Sequence, residues 1–429
     1  MKPLCALLLL STLTVSAATD WNRFRGPNGS GVAETTGLPD KVTADTTVWK
    51  VELGKGWSSP VLWNDRVYVT AETGETTHAV LALDARTGKE VWRHEEPFTP
   101  HAKHNFNSFA SSSPYVDADR VYINWSTGTT IQALALDHNG KLAWKNEHVA
   151  DYIHEHGTGI SPVVVDGVMI VRSEFDWQRD GRAYTEDPVQ KTWKSCIVGL
   201  DATTGKQVWK KELPNCLNTY STPVVHERKD GTREVICTNN ASGVMGIDPK
   251  TGKVNWQFQG DFKQRSLGSG VLHNGRYFCT FGTGGGVKEF AALDLTGGEP
   301  KPYDFTFSKG LPYVPSPLVV GDLLYLLGDG GILKVVKFDT GELVYEERVN
   351  GSAGSSKFFS SPVAADGKIF CGSQQGDLIV LKLGSTFEQL SANKLDSAIN
   401  ASPAIGDGRL YMRTEKMLWC IGAKGAPLP

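Results

Sequence analysis

Histidine is concentrated in one part of this sequence. Seven of the ten histidines lie in the segment from His94 to His156. Imidazole nitrogens bind zinc, copper and iron, so a group of histidines can form a metal site. The candidate ligands are His101, His104, His154 and His156. Their spacing matches no common catalytic metal motif, so the alternative is a set of hydrogen-bonded or solvated loop histidines on a protein-binding surface.

A second polar segment, residues 173–194, has the composition of a binding loop. It combines aromatic side chains with charges of both signs. Loops on a rigid scaffold commonly carry function. The candidate binding rim contains Glu155, Asp176, Trp177, Arg179, Asp180, Arg182 and Tyr184. These residues can form one site only if the fold brings the separate segments together.

The composition excludes one class of partner. The 429 residues are 40% hydrophobic and carry a formal net charge of −3, with both signs mixed along the chain. There is no basic stripe of the kind that binds a phosphate backbone. We therefore expect no nucleic-acid partner.

The first 18 residues have the features of a cleaved signal peptide. Lys2 precedes an apolar run from Leu4 to Val15, and small residues follow at positions 16–18. The run is too short to span a bilayer, and no later segment is long and apolar enough to do so. Cys5 lies inside the run rather than at the cleavage site, which does not fit a lipoprotein. We predict a periplasmic or secreted protein without a membrane span.

Internal repetition dominates the remaining sequence. Eight units each begin with a step of small residues and a proline, at Pro60, Pro114, Pro162, Pro223, Pro317, Pro362 and Pro403, with Gly270 in the fifth unit. Each unit contains four segments rich in Val, Ile, Tyr and Leu, separated by glycine-containing turn signals. Four antiparallel strands at this period are typical of a propeller blade. We predict an all-β fold, an eight-bladed β-propeller of four-stranded antiparallel blades.

A phrase that recurs in several units, Asp-x-x-Thr-Gly-x-x-x-Trp, predicts architecture rather than chemistry. We expect the aspartates to accept hydrogen bonds from a tight turn and the glycines to adopt positive φ. The tryptophans should fill the wedge between neighbouring blades. The residues with these structural roles are Asp84, Gly88, Trp92, Trp144, Asp201, Gly205, Trp209, Asp248, Gly252 and Trp256.

The last unit contains only three strands, which leaves its blade incomplete. Residues 46–53 contain Trp49. Its position within this segment is equivalent to that of Trp92 within the outer strand of the first unit. We predict that this N-terminal strand pairs with the C-terminal blade, because a closed ring has no open seam. The predicted organisation is a signal peptide at 1–18, an N-terminal extension at 19–45 and one propeller at 46–424. We expect a monomer.

Six cysteines remain after the predicted signal peptide. Cys237, Cys279 and Cys371 occupy a strand position that holds Val, Ile, Leu or Met in the other units. We expect them to be buried thiols that pack as small hydrophobic side chains. Cys196 and Cys216 fall in one unit, and the sequence leaves open whether they form a disulfide.

Three polar residues precede the Ser-Pro steps and should face the central channel of a propeller: Arg265, Lys357 and Asn400. They could contact a ligand on the axis, or hydrogen-bond to channel water as most polar loop residues do. The connections between blades share one rim with the loops that join second and third strands. This topology should bring the histidines near residues 173–194.

The repeated phrase resembles the repeat of the pyrroloquinoline-quinone-like (PQQ-like) propeller superfamily. The pattern Ala-x-Asp-x-x-Thr-Gly-x-x-x-Trp begins at Ala82 and recurs with glycine in first position at Gly199 and Gly246. The resemblance covers nearly the whole chain after the predicted signal peptide, and it implies the propeller fold. The superfamily includes quinoprotein dehydrogenases and non-catalytic proteins such as BamB, so fold alone does not assign function.

The quinoprotein enzymes of the superfamily carry a disulfide between adjacent cysteines above the quinone, and acidic and amide ligands for calcium. This sequence contains no Cys-Cys pair. We expect a BamB-like binding or scaffolding module of the cell envelope, with an envelope protein or small ligand as partner and no cofactor. The alternatives are an oxidoreductase that uses PQQ with calcium and a metal-binding propeller that uses the histidine-rich rim.

Overall fold

The computed structural model describes residues 21–153, 156–179, 181–307 and 309–423. In this part of the chain, eight four-stranded antiparallel sheets follow one another around an axis. The predicted eight-bladed β-propeller is confirmed. The predicted signal peptide at 1–18 lies outside the described residues.

Each blade runs from an inner strand next to the axis to an outer strand at the rim. Blade 1 contains Val61–Trp63, Arg66–Glu72, Thr77–Asp84 and Glu90–Pro97. Blade 2 contains Tyr115–Val116, Val121–Ser126, Thr130–Leu136 and Leu142–Asp151. Blade 3 contains Val163–Val165, Val168–Ser173, Cys196–Asp201 and Gln207–Glu212. Blade 4 contains Val224–Glu227, Arg233–Asn239, Gly243–Ile247 and Val254–Phe258.

The remaining blades repeat this order. Blade 5 contains Val271–His273, Arg276–Gly282, Lys288–Asp294 and Lys301–Pro302. Blade 6 contains Leu318–Val320, Leu323–Leu327, Ile332–Lys337 and Leu343–Arg348. Blade 7 contains Val363–Ala365, Lys368–Gly372, Asp377–Lys382 and Gln389–Lys394. Blade 8 contains Ala404–Gly406, Arg409–Arg413, Met417–Gly422 and, as its outer strand, Thr47–Glu52.

Short elements decorate the loops. Two small hairpins pair Gln178–Arg179 with Arg182–Ala183 and Asn350–Gly351 with Gly354–Ser355. Single 3-10 turns occur at Pro27–Gly29 and Gln190–Thr192. No helix within the described ranges is long and apolar enough to cross a membrane.

The N-terminal strand closes the ring. Thr47–Glu52 pairs antiparallel with Met417–Gly422, and Trp49 lies opposite Cys420. Blade 8 is therefore built from both ends of the propeller, and the predicted closure is confirmed. Circular closure leaves no unpaired seam between the first and last blades.

The hydrophobic core lies between neighbouring blades. Tyr68 and Val80 of blade 1, for example, pack with Ile123 and Leu134 of blade 2. Middle strands are covered on both faces, which explains why they read as nearly continuous apolar runs in the sequence. The six cysteines of the described chain are buried free thiols, Cys196 and Cys216 included.

The repeated phrase forms a lock between successive blades. Asp84 Oδ1 accepts hydrogen bonds from the backbone N–H groups of Arg86 and Thr87, and Gly88 has φ 72°. The same carboxylate contacts recur at Asp201 and Asp248, and the positive φ recurs at Gly205 and Gly252. These contacts hold the turn that joins the third strand to the outer strand.

Three of the four tryptophans of the phrase donate a hydrogen bond to the next blade. The Trp92 indole N–H donates to the His138 carbonyl of blade 2, and Trp144 and Trp209 donate to turn carbonyls of blades 3 and 4. Trp49 makes the equivalent bond from blade 8 to Ala85 of blade 1. Trp256 differs, because its N–H donates to the buried carboxylate of Glu234.

A ring of hydrogen bonds joins the inner ends of all eight blades. In every blade, the residue before the proline or Gly270 is a serine or threonine, and its hydroxyl accepts the N–H of the equivalent residue in the preceding blade. The acceptors, in chain order, are Ser59, Ser113, Ser161, Thr222, Ser269, Ser316, Ser361 and Ser402. The small hydroxyl residues of the repeat therefore fasten the centre of the propeller.

Candidate functional site

The two faces of the propeller carry different loops. The upper face holds the connections between blades and the loops that join second and third strands, while the lower face holds the other two tight turns of each blade. The histidine-rich segments and residues 174–195 therefore belong to the upper face.

A cavity of about 730 Å³ lies on the propeller axis and opens to the upper face. The ring of serine and threonine hydroxyls surrounds its deep part. Seven members of this ring line the cavity: Ser59, Ser161, Thr222, Ser269, Ser316, Ser361 and Ser402. Each of these hydroxyl oxygens accepts one backbone N–H, and each hydroxyl also has an O–H hydrogen that it can donate. The deep cavity is therefore polar and fixed in shape by the blade joints.

The floor of this cavity comes from the N-terminal segment, residues 21–38, which we call the plug. Asn22 exchanges hydrogen bonds with Val116 of blade 2, and the Arg25 guanidinium donates to the Pro317 carbonyl of blade 6. Phe24, between these anchors, crosses the axis and lines the cavity. The plug thus converts an open channel into a blind cavity.

The glycines of the plug allow this tight crossing. Gly26 has φ 66°, and a Cβ at this position would lie 2.5 Å from the Trp21 ring, which is fully buried. No larger residue fits beneath Trp21 in this conformation. No repeat pattern in the sequence predicts the plug, although its glycine and its alternation of arginine and phenylalanine are visible in the stretch Arg23 to Gly26.

Two arginines of the plug are buried without a carboxylate partner in the described chain. Arg23 donates to the Pro223 carbonyl of blade 4, and Arg25 donates to Pro317. Burial lowers the pKa of Arg23 to about 10 and that of Arg25 to about 9. Both therefore stay cationic near neutral pH, with carbonyl oxygens as their hydrogen-bond acceptors.

One wall of the axial cavity contains two of the predicted histidines. The rings of His104 and His156 stack with their centroids 5.3 Å apart. The backbone N–H of His104 donates to the backbone carbonyl of His156. Arg265 Nη1 donates to His156 Nδ1 at 3.3 Å. Burial lowers the pKa of His104, and the neighbouring His156 and Arg265 lower it further. The neutral His104 ring can accept the Phe106 N–H at Nδ1, as it does here at 3.2 Å.

The opposite wall is organised around Asp329. Its carboxylate accepts the N–H groups of Tyr313 and Val314 and pairs with Lys288 at 3.2 Å. The loop with Gly284 and Gly285 also lines this wall. It joins the second and third strands of blade 5, and no helix follows it.

The mouth of the cavity is aromatic. Phe106 is 55% exposed and meets Phe359 edge to face, with ring centroids 5.3 Å apart. Tyr220 lies below it and donates from its hydroxyl to the Gly157 carbonyl at 2.8 Å. The opening therefore presents apolar ring surface above a polar interior.

The structure separates the predicted channel residues. Arg265 and Asn400 line the axial cavity. Lys357 is exposed, and its backbone N–H donates to the Gln375 side chain. Lys357 is not among the described residues that line the cavity.

The other predicted rim residues form local contacts. His101 bonds to the Thr99 carbonyl and the Ser126 hydroxyl. In the 173–194 segment, the Tyr184 N–H donates to the Trp177 carbonyl, and Arg182 lies over the Tyr184 ring. Asp176 accepts the N–H of Gln178, next to the strand that contains Arg179. The candidates His154, Glu155 and Asp180 lie outside the described residues.

The side chains of the described residues do not form a metal or quinone centre. No group of three or more His, Cys, Asp or Glu side chains within these residues is placed to hold a metal ion. Asp329 is the carboxylate that lines the described cavity, and both of its oxygens already accept N–H groups. Calcium requires several oxygen ligands, so these donors do not fit a calcium-held quinone. The four-histidine metal site stays a prediction.

The chain matches one family model over most of its length. The model described as outer membrane protein assembly factor BamB matches residues 40–195, 189–301 and 308–425. Polyvinylalcohol dehydrogenase from Sphingopyxis sp. is 27% identical over 344 residues, which covers 72% of this chain and 47% of that protein. The chain spans about half the length of the curated relatives it matches.

Solved structures show the same fold. BamB from Moraxella catarrhalis superposes with a TM-score of 0.62 at 15% identity, covering 89% of this chain and 98% of that one. Quinohemoprotein alcohol dehydrogenase from Comamonas testosteroni superposes with a TM-score of 0.63 at 14% identity, covering 96% and 82%. These structural likenesses show the fold and do not separate a binding protein from an enzyme.

Proposed function

Because this chain belongs to the PQQ-repeat propeller family described as outer membrane protein assembly factor BamB, we propose that it is a binding or scaffolding module of the cell envelope. It takes an envelope protein or a small ligand at the upper face and has no catalytic turnover of its own. The proposed location is the periplasm or the cell exterior. This location rests on the apolar N-terminal run that follows Lys2.

The observation that carries the proposal is the exposed aromatic mouth of the axial cavity. Phe106 places more than half of its surface in solvent beside Phe359 and the cavity opening. A large apolar side chain exposed next to a concave site is characteristic of a surface that binds another molecule. Aromatic side chains also supply much of the binding energy at protein interfaces.

The loops around this mouth are held in place before any partner arrives. The Asn107 side chain donates to the His156 carbonyl at 2.9 Å and accepts from the Ser111 hydroxyl at 2.6 Å. Tyr220 ties the same connection to the next blade through Gly157. Preorganised loops lose little conformational entropy on binding, which favours a stable complex.

A quantitative pull-down from the native cell envelope tests the proposal. Wild-type protein should enrich specific envelope proteins, and Phe106→Ser should lose them because it removes the exposed ring. Val91→Ser is the matched control, since Val91 is 43% exposed on the outer strand of blade 1, away from the mouth. Equal enrichment by wild type and Phe106→Ser contradicts the proposed surface.

A second candidate function is oxidation of an alcohol or sugar with a quinone cofactor. It is favoured by the sequence similarity to polyvinylalcohol dehydrogenase. After incubation with PQQ and calcium, such an enzyme reduces an artificial electron-acceptor dye in the presence of alcohols or sugars. A binding module produces no dye reduction above the level of PQQ and calcium alone, so this assay separates the two functions.

A further inference from the structure

A second cavity lies on the lower face, beneath the plug. It has a volume of about 500 Å³ and is bounded by the plug and by the inner hairpins of blades 2–5. Arg23, Asn22 and Asn28 of the plug form one side of it. The Asn28 amide both donates to and accepts from the Val225 backbone, at 2.7 Å in each bond, which fixes the plug against blade 4.

Arg23 is a buried cation of this cavity with an unused hydrogen-bond donor. The residue is 4% exposed, and among the described residues its guanidinium donates from Nη2 to the Pro223 carbonyl. Its Nε is buried and has no acceptor among the described residues. A buried guanidinium with unused N–H groups is costly unless an acceptor or a negative charge reaches it.

Two other buried arginines also keep N–H groups without an acceptor among the described residues, Nε and Nη1 in Arg25 and Nε in Arg413. Arg25 donates to Pro317 and lies within 3.5 Å of the carbonyls of Ser30 and Pro362. Arg413 donates to the Ser58 and Thr70 carbonyls and to the Ser58 hydroxyl. Arg25 and Arg413 line neither the axial cavity nor the lower-face cavity, whereas Arg23 lines the lower-face cavity.

The rest of the cavity supplies apolar walls and a charged rim. Val164, Val165 and Leu272 line its sides. At the mouth, Glu227 and Arg233 are cross-strand partners in blade 4 and are both exposed. Arg233 also forms an ion pair with Asp166 of blade 3, so the rim has charges of both signs, and Arg23 is the buried cation of the interior.

We propose that this lower-face cavity binds a small organic carboxylate, whose anionic group pairs with Arg23 while its apolar part contacts Val164 and Leu272. The planar guanidinium matches the two oxygens of a carboxylate and can donate two parallel hydrogen bonds. The apolar walls distinguish such a ligand from a free inorganic anion. This site is independent of the upper-face mouth, so either proposal can fail alone.

Thermal unfolding in the presence of benzoate, acetate, inorganic phosphate and benzamide tests the site. Benzoate should raise the unfolding midpoint of the wild type saturably, while the neutral isostere benzamide should not. Arg23→Met should weaken benzoate binding roughly thirtyfold or more, because it removes the charged partner of a buried pair. Arg66→Gln is the matched control, since it removes a cation from the lower face of blade 1 and should leave binding unchanged.

A second variant keeps the test decisive if Arg23→Met does not fold. Leu272→Trp fills the cavity from blade 5 without changing Arg23, and it should abolish the effect of benzoate. A midpoint that rises equally with benzoate in wild type and Leu272→Trp overturns the site. Stabilisation by phosphate without stabilisation by benzoate overturns the assignment to an organic carboxylate.

Discussion

The backbone N–H of Ser402 donates a hydrogen bond of 2.9 Å to the hydroxyl of Ser59, which lies 343 residues earlier in the chain. This bond closes the ring of serine and threonine hydroxyls around the axis. The ring fastens the inner ends of the blades, while pairs such as Trp49 and Ala85 fasten them farther out. Two separate sets of contacts therefore hold the first and last blades together.

Ser59→Ala should lower the free energy of unfolding by about 1–3 kcal/mol, because the buried Ser402 N–H loses its acceptor. Urea denaturation monitored by tryptophan fluorescence measures the change. Ser385→Ala is the control, since Ser385 is exposed and should tolerate the change with little effect. A loss no larger at Ser59 than at Ser385 contradicts a stabilising role for the ring.

Gly88→Ala should destabilise the propeller more than Gly167→Ala. Both glycines have positive φ, 72° and 76°. A Cβ on Gly88 would lie 2.7 Å from the Trp49 ring, whereas no atom lies within 4 Å of one on Gly167. The backbone strain common to both costs about 1 kcal/mol, and the clash with Trp49 should add about 1–3 kcal/mol. Differential scanning calorimetry compares the two.

Glu174→Gln should be strongly destabilising. Arg172 and Glu174 form a fully buried ion pair at 2.6 Å, and Arg172 also donates to the Ser221 and Thr238 carbonyls. Removing one charge leaves the other buried without its partner, at a cost of about 3–5 kcal/mol. The double variant Arg172→Met with Glu174→Leu should recover stability in urea denaturation. A double variant less stable than Glu174→Gln shows that the pair contributes mainly through its other hydrogen bonds.

His78 should make the protein less stable as the pH falls from about 6.5 to 4. The ring is 1% exposed and stacks against Trp125 at 3.6 Å and Phe98 at 4.9 Å. Burial lowers the pKa of His78 to about 4, and the backbone hydrogen bond with Phe109 and the Glu96 charge oppose this shift.

In this pH window the unfolded chain binds a proton at His78 and the folded protein does not, so the folded state loses about 3 kcal/mol relative to pH 7. Urea titrations between pH 4 and 7 measure this slope. His78→Phe should flatten it, and His273→Gln should leave it in place. An unchanged slope in His78→Phe assigns the acid sensitivity to other groups.

The histidine metal site predicts one zinc, copper or iron ion per chain. His104 is neutral near pH 7 because burial lowers its pKa, and a neutral imidazole can ligate a metal. Elemental analysis of protein purified without chelator measures the content, and His104→Gln should lose the ion. A content well below one ion per chain contradicts the metal prediction.

Trp49 and Trp92 show how much of the fold could be predicted. Their common spacing identified the closing strand, because a repeat places equivalent residues at equivalent positions whatever their distance along the chain. The joining of His104 to His156 follows from the same reasoning, since both lie in connections on one face. The hydrogen bond between Arg265 and His156 depends on side-chain packing that no repeat describes.

Arg23 and Phe24 show where sequence reasoning stopped. They precede the first repeat unit, so no equivalent residues reveal their role. Their positions depend on carbonyl oxygens of blades that lie far along the chain, such as that of Pro223. The plug is therefore defined by long-range hydrogen bonds rather than by local pattern.

The sequence by itself determined the number of blades, their strand order and the closure of the ring, because periodic apolar segments and turn residues are local signals. Only the tertiary structure decided that the N-terminal segment closes the axial channel, that Phe24 floors one cavity and that Arg23 enters another. A segment outside the repeated strands takes its place from the partners that satisfy its buried polar groups, and those partners exist only once the ring has formed.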